Sequence, residues 1–478
     1  MAQVRELDQR AIAAGISGHT LMLRAAAVCW RELQRRWAAA QNIHVVCGTG
    51  NNGGDGYAIA SLAAAAGRQV KLWQVGEPPR QGDAALTCEA WIKKGGKLEK
   101  FHAQALTGAE LVVDALFGSG LTRDVAGDAR AAIETMNSGS APVLAVDVPS
   151  GIDADTGTVR GAAVKAAVTV SFIGNKLGLY TGAAVDHVGD LVFDPLEVPA
   201  SLYASQAPQG MLLDRGDLKS WLPRRARSAH KGAHGHVLVI GCDTGMMGAA
   251  LLAGRAALRG GAGLVSVATR AEHAGAMAAA QPELMCRRVE SERELGQLLA
   301  RADVIAVGPG LGQGEWGRGV LGSALATQKP MVLDADALNL LVLAPVPRPN
   351  GVITPHPGEA ARLLGVKTSL VQDDRHSAVR ALQQKFEGVA VLKGAGTLIQ
   401  GQNLSLCPYG NPGMGAGGMG DVLSGIIAAF MSQGLEPETA ANAGVLAHAL
   451  AGDAAARSGE RGLLPSDLLF ALRAVVNQ

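Results

Sequence analysis

Short apolar runs alternate along the chain with alanine-rich stretches of helical periodicity. The runs predict strands at residues 44–47, 70–73, 111–117, 142–148 and 168–173 in the first half, and at 236–241, 264–269, 304–308, 330–335, 351–355 and 389–394 in the second. Helices are predicted between them, for example at 57–66, 249–258, 358–364 and 378–386. Because near-continuous β-branched strands are buried on both faces, the pattern predicts an α/β fold with parallel sheets between layers of helices.

The alternation restarts once, after a segment of weak periodicity that begins at Pro195 and is rich in Pro, Ser and Gln. We place a domain boundary near residue 208. This predicts one domain over residues 1–208 and a second over residues 214–478. Each domain is long enough to bury a core of its own.

Composition limits the kinds of partner that we expect and the cellular compartment in which we expect the protein. The 43 basic and 42 acidic residues leave a formal net charge of +1, which offers no electrostatic footprint for a nucleic acid or an anionic membrane. No uninterrupted apolar run reaches the ~18 residues of a membrane span, and the mixed-charge N-terminus lacks the apolar core of a signal peptide. The scattered cysteines, without a CxxC pair, predict buried free thiols in a reducing cytoplasm: Cys29, Cys47, Cys88, Cys242, Cys286 and Cys407.

A glycine-rich segment at residues 411–425 predicts a phosphate site. Five glycines lie in the ten residues before Asp421, and an apolar helical stretch follows at once. Backbone N–H groups of such a loop, and the start of a helix, converge on an anion. A carboxylate beside a bound phosphate makes sense if it takes a proton from the attacking hydroxyl. The structural alternative is that Asp421 is an ordinary helix N-cap.

A second glycine-rich segment follows the first predicted strand. Gly48, Gly50 and Gly53 satisfy G-x-G-x-x-G, and Glu77 lies near the end of the next strand, as in a Rossmann dinucleotide fingerprint. That pattern leaves the polar side chains of NNGGD (51–55), which we expect in a loop, without a role. Two amides and a carboxylate can bind a cation and orient hydroxyl or amide groups. Left-handed turns and helix capping would explain any one of them alone.

Two more loops in the first half follow strands that contain an aspartate. Asp114 precedes a glycine loop over residues 118–124, and Asp147 precedes the sequence PSG at 149–151. Since the carboxyl ends of parallel strands form the ligand crevice, we expect the three loops to converge. Because a buried carboxylate needs a partner, we expect that Asp114 and Asp147 are not core residues.

In these segments the chain resembles the N-terminal domain of the NAD(P)H-hydrate epimerases, the YjeF N-terminal type. The agreement runs in order through VRELDQRAI (4–12), GNNGGDG (50–56), VVDALFGSGL (112–121) and DVPSGIDADTG (147–157). The resemblance implies a Rossmann-like three-layer sandwich that interconverts the epimers of hydrated NAD(P)H. One departure is Leu23, which stands where the family usually has an acidic residue.

The resemblance also implies the residues of this site. Those implied to bind substrate are Asn51, Asn52, Gly53, Gly54, Asp55, Gly118, Ser119, Gly120, Leu121, Thr122, Arg123, Asp124 and Asp147. Asp147 is the candidate catalytic acid or base. A potassium ion is implied at Asn52, Asp114 and Ser150.

Nearly every predicted strand of the second half ends in a polar loop that contains glycine. Such loops together describe a nucleotide-sized crevice. The segment KGAGT could wrap an adenine nucleotide or form a simple hairpin turn. The principal segments are VIGCDTGMMGAA (239–250), GPGLG (308–312), VLDADALN (332–339), TPHPGEAARLLG (354–365) and KGAGT (393–397).

The order of these segments resembles the ribokinase-like superfamily, whose phosphoryl-transfer aspartate closes a G-x-G-D turn. Within it, residues 215–478 are most similar to the ADP-dependent NAD(P)H-hydrate dehydratases. His356 stands where a vitamin kinase typically has asparagine. The resemblance implies a three-layer α/β/α domain.

It also implies two sets of contacts. Gly263, Gly312, His356 and Asp421 would contact the hydrated nicotinamide nucleotide. Glu359 would order Mg²⁺ through water or, equally, act as an acid in the first turn of a helix. The implied ADP-binding residues are Lys393, Gly394, Ala395, Gly396, Thr397, Asn411, Pro412, Gly413, Met414, Gly415, Ala416, Gly417, Gly418, Met419 and Gly420.

The hypothesis is therefore a bifunctional repair enzyme. The first half would interconvert R and S hydrated NAD(P)H, and the second would dehydrate the S epimer with ADP, releasing AMP and phosphate. We expect small-molecule substrates, no nucleic acid or membrane partner, and a homo-oligomer. Alternatives are a hydroxymethylpyrimidine- or pyridoxal-type kinase with an accessory domain, a first half that is a non-catalytic binding or scaffold module, and an NAD-dependent dehydrogenase.

Overall fold

The computed structural model describes residues 1–204 and 206–477. The chain divides into two compact units, Met1–Pro208 and Gln209–Gln478. Among the described residues no single helix is long and apolar enough to cross a membrane; the first two helices, which are bent by 116° relative to each other, pass that test only as a pair.

The first unit is built on a seven-stranded sheet. Its strands are β1 (Asn42–Cys47), β2 (Gln69–Gln74), β3 (Glu99–Lys100), β4 (Leu111–Ala115), β5 (Val143–Val146), β6 (Val168–Phe172) and β7 (Asp190–Asp194). All pairings are parallel, in the order β3-β2-β1-β4-β5-β6-β7. The order changes direction between β1 and β4, and a ligand crevice is expected beyond the carboxyl ends of strands at such a point.

Helices cover both faces of this sheet. They are α1 (Ala2–Ala13), α2 (Gly18–Arg36), α3 (Asn51–Ala65), α4 (Gly82–Lys93), α5 (Gly127–Ser138) and α6 (Ala200–Tyr203). Because side chains alternate across a strand, Val45 packs in the core beneath α1–α4. Its neighbour Val46 packs on the opposite face, with Ile133 of α5. The result is a three-layer sandwich, as predicted.

The segment NNGGDG corrects one expectation. It is not a loop, because α3 already begins at Asn51. A Cβ at Gly53 would lie 2.2 Å from the Gly48 carbonyl oxygen, and one at Gly56 would lie 2.6 Å from Cys47 Sγ. These glycines therefore let the first turns of α3 pack directly against the sheet. Helical propensity opposes glycine there, and close packing outweighs it.

The second unit is built on a ten-stranded sheet. Its strands are β8 (Met211–Leu212), β9 (His236–Ile240), β10 (Leu264–Thr269), β11 (Met285–Arg288), β12 (Val304–Val307), β13 (Met331–Leu333), β14 (Gly351–Ile353), β15 (Val389–Leu392), β16 (Thr397–Gln400) and β17 (Leu404–Cys407). The order is β11-β10-β9-β12-β13-β14-β15-β16-β17-β8. Only β16 runs antiparallel to its neighbours.

The helices of this unit are α7 (Asp217–Trp221), α8 (Met247–Gly260), α9 (Ala271–Ala280), α10 (Glu292–Arg301), α11 (Glu315–Leu325), α12 (Asp336–Leu341), α13 (Pro357–Leu364), α14 (Thr368–Asp373), α15 (Arg375–Phe386), α16 (Met419–Ser432), α17 (Pro437–Ala455) and α18 (Pro465–Val475). Helix α16 is buried along most of its length. It lies close against α8, since a Cβ at Gly425 would be only 2.1 Å from the Ala253 carbonyl oxygen.

Every predicted strand is present, and the predicted α/β class is confirmed in both units. Four of the six missed strands, β3, β7, β8 and β11, lie at the edges of the sheets, whereas β16 and β17 lie inside the larger sheet. An edge strand is covered on fewer sides, so it needs no continuous apolar run. The segment KGAGT forms the turn of the β15–β16 hairpin.

Candidate active sites

A cavity of about 600 Å³ opens at the carboxyl edge of the sheet in the first unit. The loop after β4, the start of α3 and Asp147 after β5 form one wall, and α1 and α2 form another. The predicted substrate-binding residues that line it are Asn51, Asn52, Asp55, Gly118, Ser119, Gly120, Leu121, Thr122, Arg123 and Asp147. Gly53, Gly54 and Asp124 are not part of the lining. The structure thus brings together segments that follow three different strands.

Asp114 and Ser150 form a buried polar pair beside this cavity. Asp114 Oδ1 accepts hydrogen bonds from Ser150 Oγ at 2.6 Å and from the Leu116 amide at 3.2 Å, and Oδ2 accepts one from the Ser150 amide at 2.8 Å. Burial raises the pKa of Asp114 to about 6, against the lowering effect of these bonds. Within residues 1–204 and 206–477 no cationic side chain is paired with it.

The surroundings of this pair suit an alkali cation. Asn52 is buried, and its Nδ2 has no hydrogen-bond partner. Turning the amide over would place its oxygen at that position, because the two ends of the amide have the same shape. The three side chains of Asn52, Asp114 and Ser150 then offer oxygen atoms. In the part of the chain that the structure describes, the Asp114 carboxylate has no cationic partner, and a bound cation would neutralise its charge. The described residues contain no cluster of three or more His, Cys, Asp or Glu side chains suited to another metal.

Asp147 directs its carboxylate between a buried lysine and the cavity. Its Oδ1 accepts from Lys176 Nζ at 2.8 Å, and its Oδ2 accepts from the Ser119 amide at 3.3 Å. The backbone of Asp147 has φ +66°, in the left-handed region. Such a conformation costs ~1–3 kcal/mol for a residue other than glycine and persists where surrounding contacts require it.

Three aspartates from helices line the same cavity: Asp55, which was predicted, and Asp8 and Asp83, which were not. Burial, Asp147 and Asp8 raise the pKa of Asp55 well above its usual range. Burial and Asp83 raise the pKa of Asp8. Asp8 lies on α1 and Asp83 on α4, and both line the cavity. Neither was predicted as a site residue, although Asp8 lies within VRELDQRAI, one of the segments that carry the resemblance.

Two residues singled out in the sequence lie outside this cavity. Leu23 is 47% exposed, yet its neighbours Leu21, Met22 and Ala25 line the cavity, so α2 contributes to the site without residue 23. The Glu77 side chain is 86% exposed and pairs with Arg80 at 3.8 Å. A Rossmann role for Glu77 therefore has no support in the geometry.

In the second unit, Asp421 lies in the first turn of α16, after Gly418 with φ +93°. Burial, followed by the negative charge of Asp334, raises the pKa of Asp421 to about 7, and Lys393 opposes the shift. Its carboxylate is thus able to accept a proton near neutral pH. Because the helix start also favours anions, the position suits a base beside a phosphate.

Lys393, predicted to bind ADP, has its ammonium among buried carboxylates. Its Nζ lies 2.8 Å from Asp334 Oδ1 and 3.9 Å from Glu359 Oε2. Burial alone would lower the pKa of Lys393, but Asp334 and Glu359 outweigh it and raise the pKa. Ser424 of α16 donates to Asp334 Oδ2 at 2.8 Å. Asp334 directly follows β13 and was not predicted as a site residue. An acidic residue just after an apolar strand is the sequence signal that could have identified it.

His356 and Glu359 form a capping box at the start of α13. His356 Nδ1 accepts from the Gly358 amide at 3.0 Å, and Glu359 Oε2 accepts from the His356 amide at 2.8 Å. Burial, with Lys393 and Arg362, lowers the pKa of His356. Since Nδ1 is an acceptor here, the neutral ring carries its proton on Nε2. The capping role of Glu359 is the one that the geometry supports.

The two predicted nucleotide segments are held from behind by buried or charged side chains. Buried Arg375 donates to the carbonyls of Leu392 at 3.2 Å and Lys393 at 3.3 Å, behind the KGAGT turn. Asp453 accepts from Asn411 Nδ2 at 2.9 Å and from the Gly410 amide at 3.1 Å, at the start of the glycine-rich loop. Both segments are thereby anchored where they begin.

Gly263 and Gly312 occupy positions that exclude a side chain. A Cβ at Gly263 would lie 1.8 Å from the Lys231 carbonyl oxygen. Gly312 has φ +71°, and its amide donates to Asp336 Oδ2 at 2.9 Å. Packing accounts for Gly263, whereas Gly312 lies where the loops after β12 and β13 meet.

Comparisons with known proteins match both units. Residues 18–178 match the family model of the YjeF-related protein N-terminus, and residues 237–473 match that of NAD(P)H-hydrate dehydratase. The bifunctional NAD(P)H-hydrate repair enzyme of Coxiella burnetii is 47% identical over 99% of this chain and 98% of that protein. The enzyme of the same description from Escherichia coli is 45% identical, over 97% of this chain and 90% of that one.

Solved structures resemble the second unit. The ADP/ATP-dependent NAD(P)H-hydrate dehydratase from Bacillus subtilis, co-crystallized with ATP/Mg²⁺, is 28% identical with a TM-score of 0.51, over 56% of this chain and 98% of that one. A ribokinase-like superfamily protein from Enterococcus faecalis is 30% identical with a TM-score of 0.53, over 57% and 97%. The predicted ribokinase-like fold is thereby confirmed.

Proposed function

This chain belongs to the family of bifunctional NAD(P)H-hydrate repair enzymes, and we propose that the sites described above divide its two reactions between the two units. The chain is an epimerase and a nucleotide-dependent dehydratase of hydrated NAD(P)H. The first unit acts through Asp147 and the second through Asp421. The observation that carries the assignment is Asp421, a carboxylate with a pKa of about 7 at the start of a buried helix.

Dehydration needs a better leaving group than hydroxide. Asp421 takes the proton of the ring hydroxyl. At the same time the hydroxyl oxygen attacks the terminal phosphoryl group of ADP, and AMP leaves. The electron pair of the ring nitrogen then expels phosphate, and the C–O bond breaks. Loss of a proton from the adjacent carbon restores the reduced nicotinamide. ADP contributes the phosphoryl group, so AMP and phosphate are the products.

The nucleotide segments have separate tasks in this proposal. The glycine-rich loop over residues 411–420 holds the transferred phosphate, with the start of α16 behind it. The KGAGT turn holds the remainder of ADP. Mg²⁺ would enter with the nucleotide and neutralise charge on its phosphates. Glu359 accepts from the His356 amide through Oε2 in its capping box, and its proposed part in ordering Mg²⁺ is through water.

Epimerisation takes place in the cavity of the first unit, whose polar wall suits the hydroxyl and amide groups of the hydrated ring. Asp147 Oδ2 faces Gly118 and Ser119 at this wall. K⁺ would be held by Asp114, Ser150 and Asn52, where it would supply positive charge next to the substrate. Together these features support Asp147 as the acid or base.

The state of the cysteines bears on where the protein is located. We place the protein in the cytoplasm, since five of its six free thiols are buried and unpaired by disulfides. We expect a homo-oligomer. Light scattering coupled to size-exclusion chromatography measures the second point directly.

One experiment tests the proposed function. The protein is incubated with separated R and S hydrated NADH, K⁺, Mg²⁺ and either ADP or ATP, while the absorbance of reduced nicotinamide, AMP and phosphate are followed. We expect S to be consumed directly and R only after epimerisation. A stable phosphorylated product without phosphate release would instead favour the kinase alternative. Fragments 1–208 and 214–478 test whether the boundary near residue 208 separates the activities.

A further inference from the structure

The first unit contains a buried lysine that neither the motifs nor the proposed reaction has used. Lys176 follows β6, and its side chain is 1% exposed. Besides Asp147 Oδ1 at 2.8 Å, its Nζ donates to Ser171 Oγ at 2.9 Å and to the carbonyls of Phe172 at 2.9 Å and Gly174 at 3.2 Å. Four oxygens surround a group that has three N–H donors. The pocket is therefore built around an ammonium.

The backbone on both sides is bent to make this pocket. Asp147 has φ +66° and Ile173 has φ +64°, at the ends of the adjacent strands β5 and β6. For a β-branched residue such as Ile173 this conformation is a clear outlier. Both strained residues line the cavity. Strain that collects at one place, and is held there by a buried ion pair, points to a functional arrangement.

The contacts divide the two oxygens of Asp147. Oδ1 is taken by Lys176, whereas Oδ2 lies beside the Ser119 amide and Gly118, which line the cavity. With one oxygen held by a buried cation, the carboxylate cannot turn freely. The other oxygen is then presented to the substrate in a single direction. Positioning of this kind is what a proton-transfer group needs.

We propose that Lys176 is a positioning residue of the epimerase site, which holds Oδ1 of Asp147 so that Oδ2 meets the hydrated nicotinamide ring. The inference rests on the proposed role of Asp147 as the acid or base. Lys176 acts through Asp147 and does not itself touch the substrate. Its removal should therefore impair the chemical step more than substrate binding, because the wall formed by residues 118–123 remains.

The first test replaces the ammonium by an apolar chain of similar length. Lys176→Met should lower kcat for epimerisation by about 100-fold, as expected for a reacting group that loses its orientation, while KM changes by no more than about 2-fold. The matched control is Lys165→Met, at an exposed lysine of the same unit, which should leave both constants unchanged. Dehydration of the S epimer should be unaffected in both variants.

A second variant keeps the inference testable if Lys176→Met folds poorly. Lys176→Ala leaves space for a small amine, so propylammonium should restore kcat by at least about 10-fold. Tetramethylammonium, which has the same charge and no N–H donor, should not. A Lys176→Met enzyme with kcat within about 3-fold of the wild type, or a Lys176→Ala enzyme that the two salts affect equally, overturns the inference.

Failure of the proposed function gives a different result. If Asp147→Asn epimerises normally, the role of Asp147 is wrong, whatever Lys176 does. If Asp147→Asn is inactive and Lys176→Met is normal, the assignment of Asp147 stands and only the positioning role of Lys176 is lost.

Discussion

Each unit places an aspartate and a lysine at its proposed site, but the lysine has a different partner in each. In the first unit Lys176 lies 2.8 Å from Asp147, the proposed reacting carboxylate itself. In the second unit Lys393 lies 2.8 Å from Asp334, a neighbour of the proposed base. Within the described residues Asp421 has no direct ion pair, and its pKa is raised to about 7.

The difference shows that the pairing of charges matters more than the residue types. A cation bound directly to a carboxylate fixes the orientation of that carboxylate. A cation bound to a second carboxylate leaves the first in a partly buried, negatively charged environment, which favours the protonated form. The second arrangement makes Asp421 suited to accept a proton and release it again near neutral pH.

The largest effect should follow from removing the proposed base. Asp421→Asn should lower dehydration by at least ~100-fold, since the amide cannot accept the hydroxyl proton. ADP binding, measured by calorimetry, should remain nearly intact because the backbone amides of the glycine-rich loop are unchanged. Epimerisation should also persist. Near-normal dehydration in this variant would refute the assignment of Asp421.

The next effect concerns the cation proposed for the first unit. Asp114→Ala removes its only carboxylate, so epimerisation at low K⁺ should fall by about 10-fold or more, and added K⁺ should recover part of the loss. The measurement is the initial rate of epimerisation over a range of K⁺ concentrations. Glu77→Ala, at an exposed acid outside the cavity, is the control and should do little. A damaging Glu77→Ala together with a silent Asp147→Ala would favour the Rossmann alternative.

The tuning of Asp421 can be tested by pH. Because the base must be ionised, kcat/KM for dehydration should decline as the pH falls below about 7. Asp334→Asn removes the main negative charge that raises this pKa, so the decline should move to lower pH. Asp336→Asn removes a weaker contributor and should cause a smaller shift in the same direction. A profile that moves to higher pH contradicts the electrostatic account.

The smallest effect should be on stability alone. Gly56→Ala would place a methyl group 2.6 Å from Cys47 Sγ and from Ala115 Cβ, and should lower the free energy of unfolding of the first unit by ~1–3 kcal/mol. Gly50→Ala adds the same methyl group in open space and should be nearly neutral. Denaturant unfolding of both variants makes the comparison. Equal stability would show that α3 can shift away from the sheet.

Local patterns in the sequence were enough to predict the strands at the centre of both sheets. Those strands are buried on both faces, so their apolar runs are unbroken. The edge strands β3 and β11 lack such runs and were missed, as were the short inner strands β16 and β17. The segment NNGGDG was predicted to be a loop because glycine has a low helical propensity. Packing against the sheet instead makes this segment the start of α3.

By itself, the sequence determined the α/β class and the motifs that carry Asp114, Asp147, Lys393 and Asp421, because strand burial and glycine-rich turns depend on neighbours along the chain. Only the tertiary structure decided which charges meet. Lys176 is 29 residues from Asp147, and Lys393 is 59 residues from Asp334, and both contacts form across separate strand ends. Pairings over such distances depend on the order of strands in the sheet, which no local pattern contains.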